Sequence, residues 1–148
     1  MNLKRRLFLR GAAAIAVLAA IPRTLLAWPE KAFGAKTTAE VMQAMFGGAE
    51  ATASDDIVLN APDIAENGRV VPISVSTTLT NVENVSIIVE ENPAPLVASF
   101  DLGPGGLPNV STRIKMGKTS NVIAVVKADG NLYSTQKEVK VTIGGCGG

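Results

Sequence analysis

From position 57 onward the chain alternates apolar and polar residues with a period of two. Val71, Ile73, Val75, Thr77 and Leu79 alternate with Pro72, Ser74, Ser76 and Thr78. Leu96, Ala98, Phe100 and Leu102 form a second series, Val110, Thr112, Ile114 and Met116 a third, and Val139, Val141 and Ile143 a fourth. This alternation predicts strands with one buried and one solvated face. Val85 to Glu90 reads as another strand. Val122 to Val126 is apolar on both faces, which predicts a central position in a sheet. Turn chemistry separates these runs at Glu66-Asn67-Gly68, Glu91-Asn92-Pro93-Ala94-Pro95, Gly103-Pro104-Gly105-Gly106 and Asp129-Gly130-Asn131. About seven short strands over roughly 90 residues predict an all-β, immunoglobulin-like sandwich.

Residues 28–54 follow a different period. Thr37 and Glu40 fit a capping box, Val41, Ala44 and Met45 share one helical face, and Gly47-Gly48 stops the run. One short amphipathic helix is expected, packed on the sandwich or on a partner.

Charge divides the chain. Residues 1–27 carry Lys4, Arg5, Arg6, Arg10 and Arg23 with no acid, whereas residues 28–148 carry nine Lys or Arg against thirteen Asp or Glu, a balance of −4. The basic start precedes an apolar run, Gly11 to Ile21, too short for the roughly 20 residues of a bilayer span. This is the order of a signal peptide, with processing expected after Ala27, although Leu25 stands where a small residue is preferred. Arg5-Arg6-Leu7-Phe8-Leu9-Arg10 resembles the twin-arginine export motif, so a periplasmic destination is expected without a stable membrane anchor. The organisation expected is a signal peptide over 1–27, a helical segment over 28–54, a sandwich domain over 55–143 and an arm over 144–148.

Composition removes several kinds of chemistry. There is no histidine and one cysteine, so a His- and Cys-based metal site and an imidazole-dependent nucleophile are excluded within the chain. Aromatic residues make up 4% and the net charge is +1, which offers neither stacking platforms nor an electrostatic footprint for nucleic acid. Glu90 and Glu91, adjacent in a strand pattern, would point to opposite faces and cannot act as an acid–base pair. Asp55-Asp56 reads as a linker. The sequons at Asn84 and Asn109 fall inside predicted strands.

The remaining chemistry lies at the C-terminal end, Gly144-Gly145-Cys146-Gly147-Gly148. Four glycines leave the thiol without neighbouring side chains and predict a flexible arm of very small cross-section. Nothing in the arm activates the thiol, so reactivity must come from a partner. Cys146 can be read as a buried structural cysteine, as half of an intermolecular disulfide, or as a covalent attachment point. The glycine surroundings argue against the first. Prenylation needs the cysteine fourth from the end, and Cys146 is third. Lipoprotein modification needs it at the signal cleavage site. The rival to an attachment point is an exported structural β-sandwich that dimerises through Cys146. A carrier acting through its terminal Gly-Gly carboxylate would need cytoplasmic activation, against which the leader argues.

The leader, the block Val85-Ser86-Ile87-Ile88-Val89-Glu90-Glu91-Asn92-Pro93-Ala94-Pro95-Leu96 and the Gly-Gly-Cys-Gly-Gly end together resemble the SoxY family, sulfur-carrying subunits of SoxYZ complexes in bacterial thiosulfate oxidation. The resemblance implies that Cys146 holds pathway intermediates covalently, that the protein has no intrinsic cofactor and is not itself an enzyme, and that it pairs with SoxZ. It implies transient docking with the cytochrome SoxXA, the hydrolase SoxB and, where present, the molybdenum–haem enzyme SoxCD.

Overall fold

A computed structural model describes residues 29–142. Among the described residues two short helices, α1 (Glu30–Phe33) and α2 (Thr38–Phe46), precede nine strands. These are β1 (Thr52–Ala53), β2 (Ile57–Asn60), β3 (Ile64–Ala65), β4 (Val71–Thr77), β5 (Val82–Val89), β6 (Leu96–Asp101), β7 (Asn109–Ile114), β8 (Ser120–Ala128) and β9 (Asn131–Val141). The larger sheet runs β1-β9-β8-β5-β6, with β3 also paired to β9, and the smaller runs β2-β4-β7.

The period-two series explain how the sheets face each other. Val71, Ile73 and Val75 of β4 and Val110 and Ile114 of β7 meet Val85, Ile87 and Val89 of β5 and Val122, Ala124 and Val126 of β8 in one buried cluster. This is the sandwich core, and burial of these aliphatic side chains supplies its main driving force. The opposite face of the larger sheet is covered as well. Ile88, Leu96, Val125 and Leu132 pack there against Ala32, Ala35 and Val41 from the helical segment. The molecule therefore has three layers: helices, large sheet, small sheet. Central β8 is apolar on both faces because each face has a cover, as its sequence predicts.

Helix α2 begins where the cap predicts: Thr37 is extended, its Oγ1 accepts the Glu40 N–H at 3.2 Å, and Gly47 closes the helix at φ 66°. The Glu40 carboxylate accepts from Lys36 N–H, at 2.7 Å, one residue before the cap. The buried face is Val41, Met42, Met45 and Phe46, and Ala44 is exposed, correcting the expected Val41-Ala44-Met45 stripe. The difference is one of rotation: the helix turns its 42/46 row, rather than Ala44, toward the cluster.

The turn at Asp129-Gly130 has φ of 50° and 74°, the left-handed pair of a two-residue hairpin between β8 and β9. β9 is longer than its alternation suggests. Its first half, Asn-Leu-Tyr-Ser-Thr-Gln-Lys, is mostly polar and is held by the ladder to β8 from Asn131↔Ala128 to Val139↔Ser120. β1 and β3, of two residues each, carry no periodic signal and exist by pairing in parallel with β9.

Candidate functional site

Cys146, Gly144, Gly145, Gly147 and Gly148, and the export pair Arg5 and Arg6, lie outside the described residues. What the structure shows is the end of β9, the last described strand before residues 144–148. β8 begins at Ser120, opposite Val139, so Lys140 and Val141 overrun it. Two other groups hold this overrun. On one edge the N–H groups of Lys140 and Thr142 donate to the carbonyls of Asp63 and Ala65, at 3.0 and 3.2 Å. On the other, Val141 N–H donates to Thr119 Oγ1 at 3.0 Å. Val139 is fully buried and anchors the strand from below.

The surrounding loops form one bonded shelf. The Asn92 side chain grips the β7–β8 loop at both ends of its amide: Nδ2 donates to the Lys115 carbonyl at 2.8 Å, and Oδ1 accepts the Gly117 N–H at 3.2 Å. Met116 N–H donates to the Gly68 carbonyl at 2.7 Å, tying in the β3–β4 connection. Glu91 N–H donates to Ser120 Oγ at 3.1 Å, and its carboxylate pairs with Lys118 at 2.7 Å. That ion pair is exposed on both sides and contributes little to stability.

A second pair braces the crossing from β2 to β3. Lys137 Nζ donates to the Ala61 carbonyl at 2.6 Å and pairs with Asp63 at 2.9 Å. The hydrogen bond and positive charge of Lys137 hold the Asp63 carboxyl below its ordinary pKa. At the opposite end of the sheet, Lys127 and then the Gly130 N–H do the same for Glu83.

The other carboxylates do not converge on a site. Glu90 accepts from Asn121 Nδ2 at 2.9 Å while Glu91 turns to Lys118. Asp55-Asp56 forms the turn between β1 and β2, where the Asp56 carbonyl accepts from Thr77 Oγ1 at 2.8 Å. Asn84 is buried, donating to Ser99 and Asp101 and accepting from Ser86, so it serves the fold. Among the described residues no group of three or more Cys, Asp or Glu side chains is arranged to hold a metal ion.

An open cavity of about 330 Å³ lies on the small sheet, lined by Asn60, Pro62, Pro72, Ser74 and Ser111 among others. It exists because β2 stops pairing opposite Ser74, leaving Pro72 with a neighbour on one side only. Its lining holds no titratable side chain. Sequence reasoning missed Thr119 and β3, since a lone Thr in a polar loop and a two-residue strand give no pattern to read.

The family model described as "Sulfur oxidation protein SoxY" matches residues 42–146. Among solved structures, the sulfur carrier protein SoxY from Chlorobium limicola f thiosulfatophilum superposes with a TM-score of 0.64 at 45% identity, covering 70% of this chain and 94% of that one. Superoxide reductase (neelaredoxin) from Ignicoccus hospitalis T24K superposes with a TM-score of 0.53 at 18% identity, covering 72% and 93%, a likeness of fold alone. No curated protein matches in sequence. With the family model spanning most of the chain and a SoxY structure this similar, the chain belongs to the SoxY family of sulfur oxidation proteins.

Proposed function

We propose that this protein is a periplasmic sulfur carrier, exported through the twin-arginine route, that holds thiosulfate-derived groups covalently on Cys146. The observation that carries the proposal is that the family match runs through to Cys146, the one thiol in the chain. The shelf beneath Thr142 supports it, since a carrier needs a rigid body from which a narrow tether departs.

The chemistry follows from a thiol without activating neighbours. A cytochrome enzyme, SoxXA, removes an electron pair as the Cys146 thiol loses its proton and its sulfur bonds to the outer sulfur of thiosulfate. Water then attacks the terminal sulfonate on SoxB, releasing sulfate and leaving a persulfide on Cys146. Where SoxCD is present, the outer sulfur is oxidised to a sulfonate with oxygen from water. A second hydrolysis restores the thiol. The S–S link keeps a reactive intermediate from diffusing away between enzymes and raises its local concentration in each docked complex. Glycines on both sides of Cys146 let the thiol enter narrow clefts, and ordering them costs roughly 1–2 kcal/mol per residue, which keeps docking transient. Catalysis belongs to the partners, and SoxZ pairs with this chain as a heterodimer.

Reconstitution with SoxZ and the oxidising enzymes tests this reading. Wild-type protein should support sulfate production, and Cys146→Ser or deletion of residues 144–148 should abolish it. Sulfate production that survives either change contradicts the proposal. A stable disulfide dimer that forms no thiosulfate conjugate supports the structural-protein rival instead.

A further inference from the structure

We propose that Thr119 and Asn92 are positioning residues for the carrier cysteine, holding the Lys140–Thr142 backbone that precedes it in the chain. This rests on the carrier reading above. β9 overruns β8 beyond Val139. Backbone past that point would ordinarily fray, because a strand without a neighbour has unpaired N–H and C=O groups. Here β3 supplies acceptors to Lys140 and Thr142 from one edge, and Thr119 Oγ1 supplies one to Val141 from the other. A side-chain hydroxyl thus continues the ladder where β8 has ended.

Thr119 needs its own support, since it sits in the β7–β8 loop. That support is Asn92. Its amide bonds the loop backbone in both directions, at Lys115 and Gly117, two residues before Thr119. The Glu91 N–H fixes the other flank through Ser120 Oγ. The Glu90-Glu91-Asn92-Pro93-Ala94-Pro95 segment therefore has a task that its sequence does not reveal: it locates the hydroxyl that holds the root of the arm.

Chain geometry gives the consequence. With the root at Thr142, Cys146 is four residues away, about 14 Å at full extension. With the root withdrawn to Val139 it is seven residues away, about 24 Å. A longer tether dilutes the thiol at a docked enzyme, and the freed residues must be ordered again before the arm enters a cleft. A two-residue strand and one exposed hydroxyl are what hold Lys140 to Thr142 in the first arrangement.

The test uses the full chain paired with SoxZ, carrying Thr119→Val, Thr119→Ser or Asn92→Ala, with the sulfate-releasing hydrolase as the assay. Thr119→Val should raise KM for the loaded carrier about tenfold, comparable to re-ordering one residue, with kcat within about twofold. Hydrogen exchange at the Lys140, Val141 and Thr142 amides should accelerate in the same variant. Thr119→Ser should restore both readouts, and Asn92→Ala should move both in the direction of Thr119→Val. A purely structural Thr119 would lower the melting temperature and leave KM unchanged, which overturns the inference. Unchanged exchange in Thr119→Val also overturns it. If Cys146→Ser still supports turnover, the carrier reading is what fails.

Discussion

The two halves of β9 are held in contrasting ways. From Asn131 to Val139 the strand lies in an unbroken antiparallel ladder with β8, between a helical layer and the small sheet. From Lys140 to Thr142 it depends on β3 and the Thr119 hydroxyl. Along one strand, the support changes from a nine-pair ladder pinned by buried Leu132 and Val139 to a few hydrogen bonds. Burial is concentrated in β5 and β8, where both faces of the sheet are covered.

Substitutions in the region packed on both faces should have the largest effect. Ile87 and Ile88 are adjacent on β5, both fully buried, and face opposite cores. Ile87→Ala and Ile88→Ala should each cost about 2–5 kcal/mol, read by denaturant unfolding. Equal losses would show that the helical layer is as much a part of the core as the small sheet. A near-neutral Ile88→Ala would show that the helices are an accessory. The contrast within β9 is sharper and smaller. Val139 is fully buried, whereas Val141 only packs against the edge of the core. Val139→Ala should cost about 2 kcal/mol from lost methyl burial and a cavity, and Val141→Ala under about 1 kcal/mol.

The smallest effect is acid sensitivity. Asp63 and Glu83 have folded pKa values below their ordinary ones, through Lys137 and Lys127 respectively. Each contributes stability that is present above its unfolded pKa and is lost as pH falls through its folded pKa. Acidification should therefore lower the protection of the Lys140 and Thr142 amides, beside Asp63, relative to their intrinsic exchange rates, before it lowers that of the Val122–Val126 amides. Simultaneous loss at both places would mean that Asp63–Lys137 does not brace the arm's root.

Much of this architecture is legible in the residues. β4 and β7 show their inward rows directly, β8 announces a two-faced environment, and Thr37 and Gly47 bracket α2. What was illegible has physical causes. The first half of β9 is polar because the hairpin ladder, not side-chain burial, makes it a strand. β1 and β3 are too short for any period and exist only through their partner. Ala44 is apolar but small, so its sequence position cannot tell which way the helix rotates on the sheet. At the C-terminal end of the sequence the lone cysteine among glycines is plain to read, whereas the hydrogen bonds of Thr119 and Asn92 join backbone groups of distant segments. Such contacts follow from tertiary geometry and leave no local pattern.

Intact mass of the protein–SoxZ complex, after exposure to thiosulfate and the oxidising cytochrome, tests the central claim most directly. The account predicts a thiosulfate-derived mass increase on this chain that reduction removes and that Cys146→Ser never shows. An adduct that persists in Cys146→Ser, or no adduct on the wild-type chain under turnover, contradicts it.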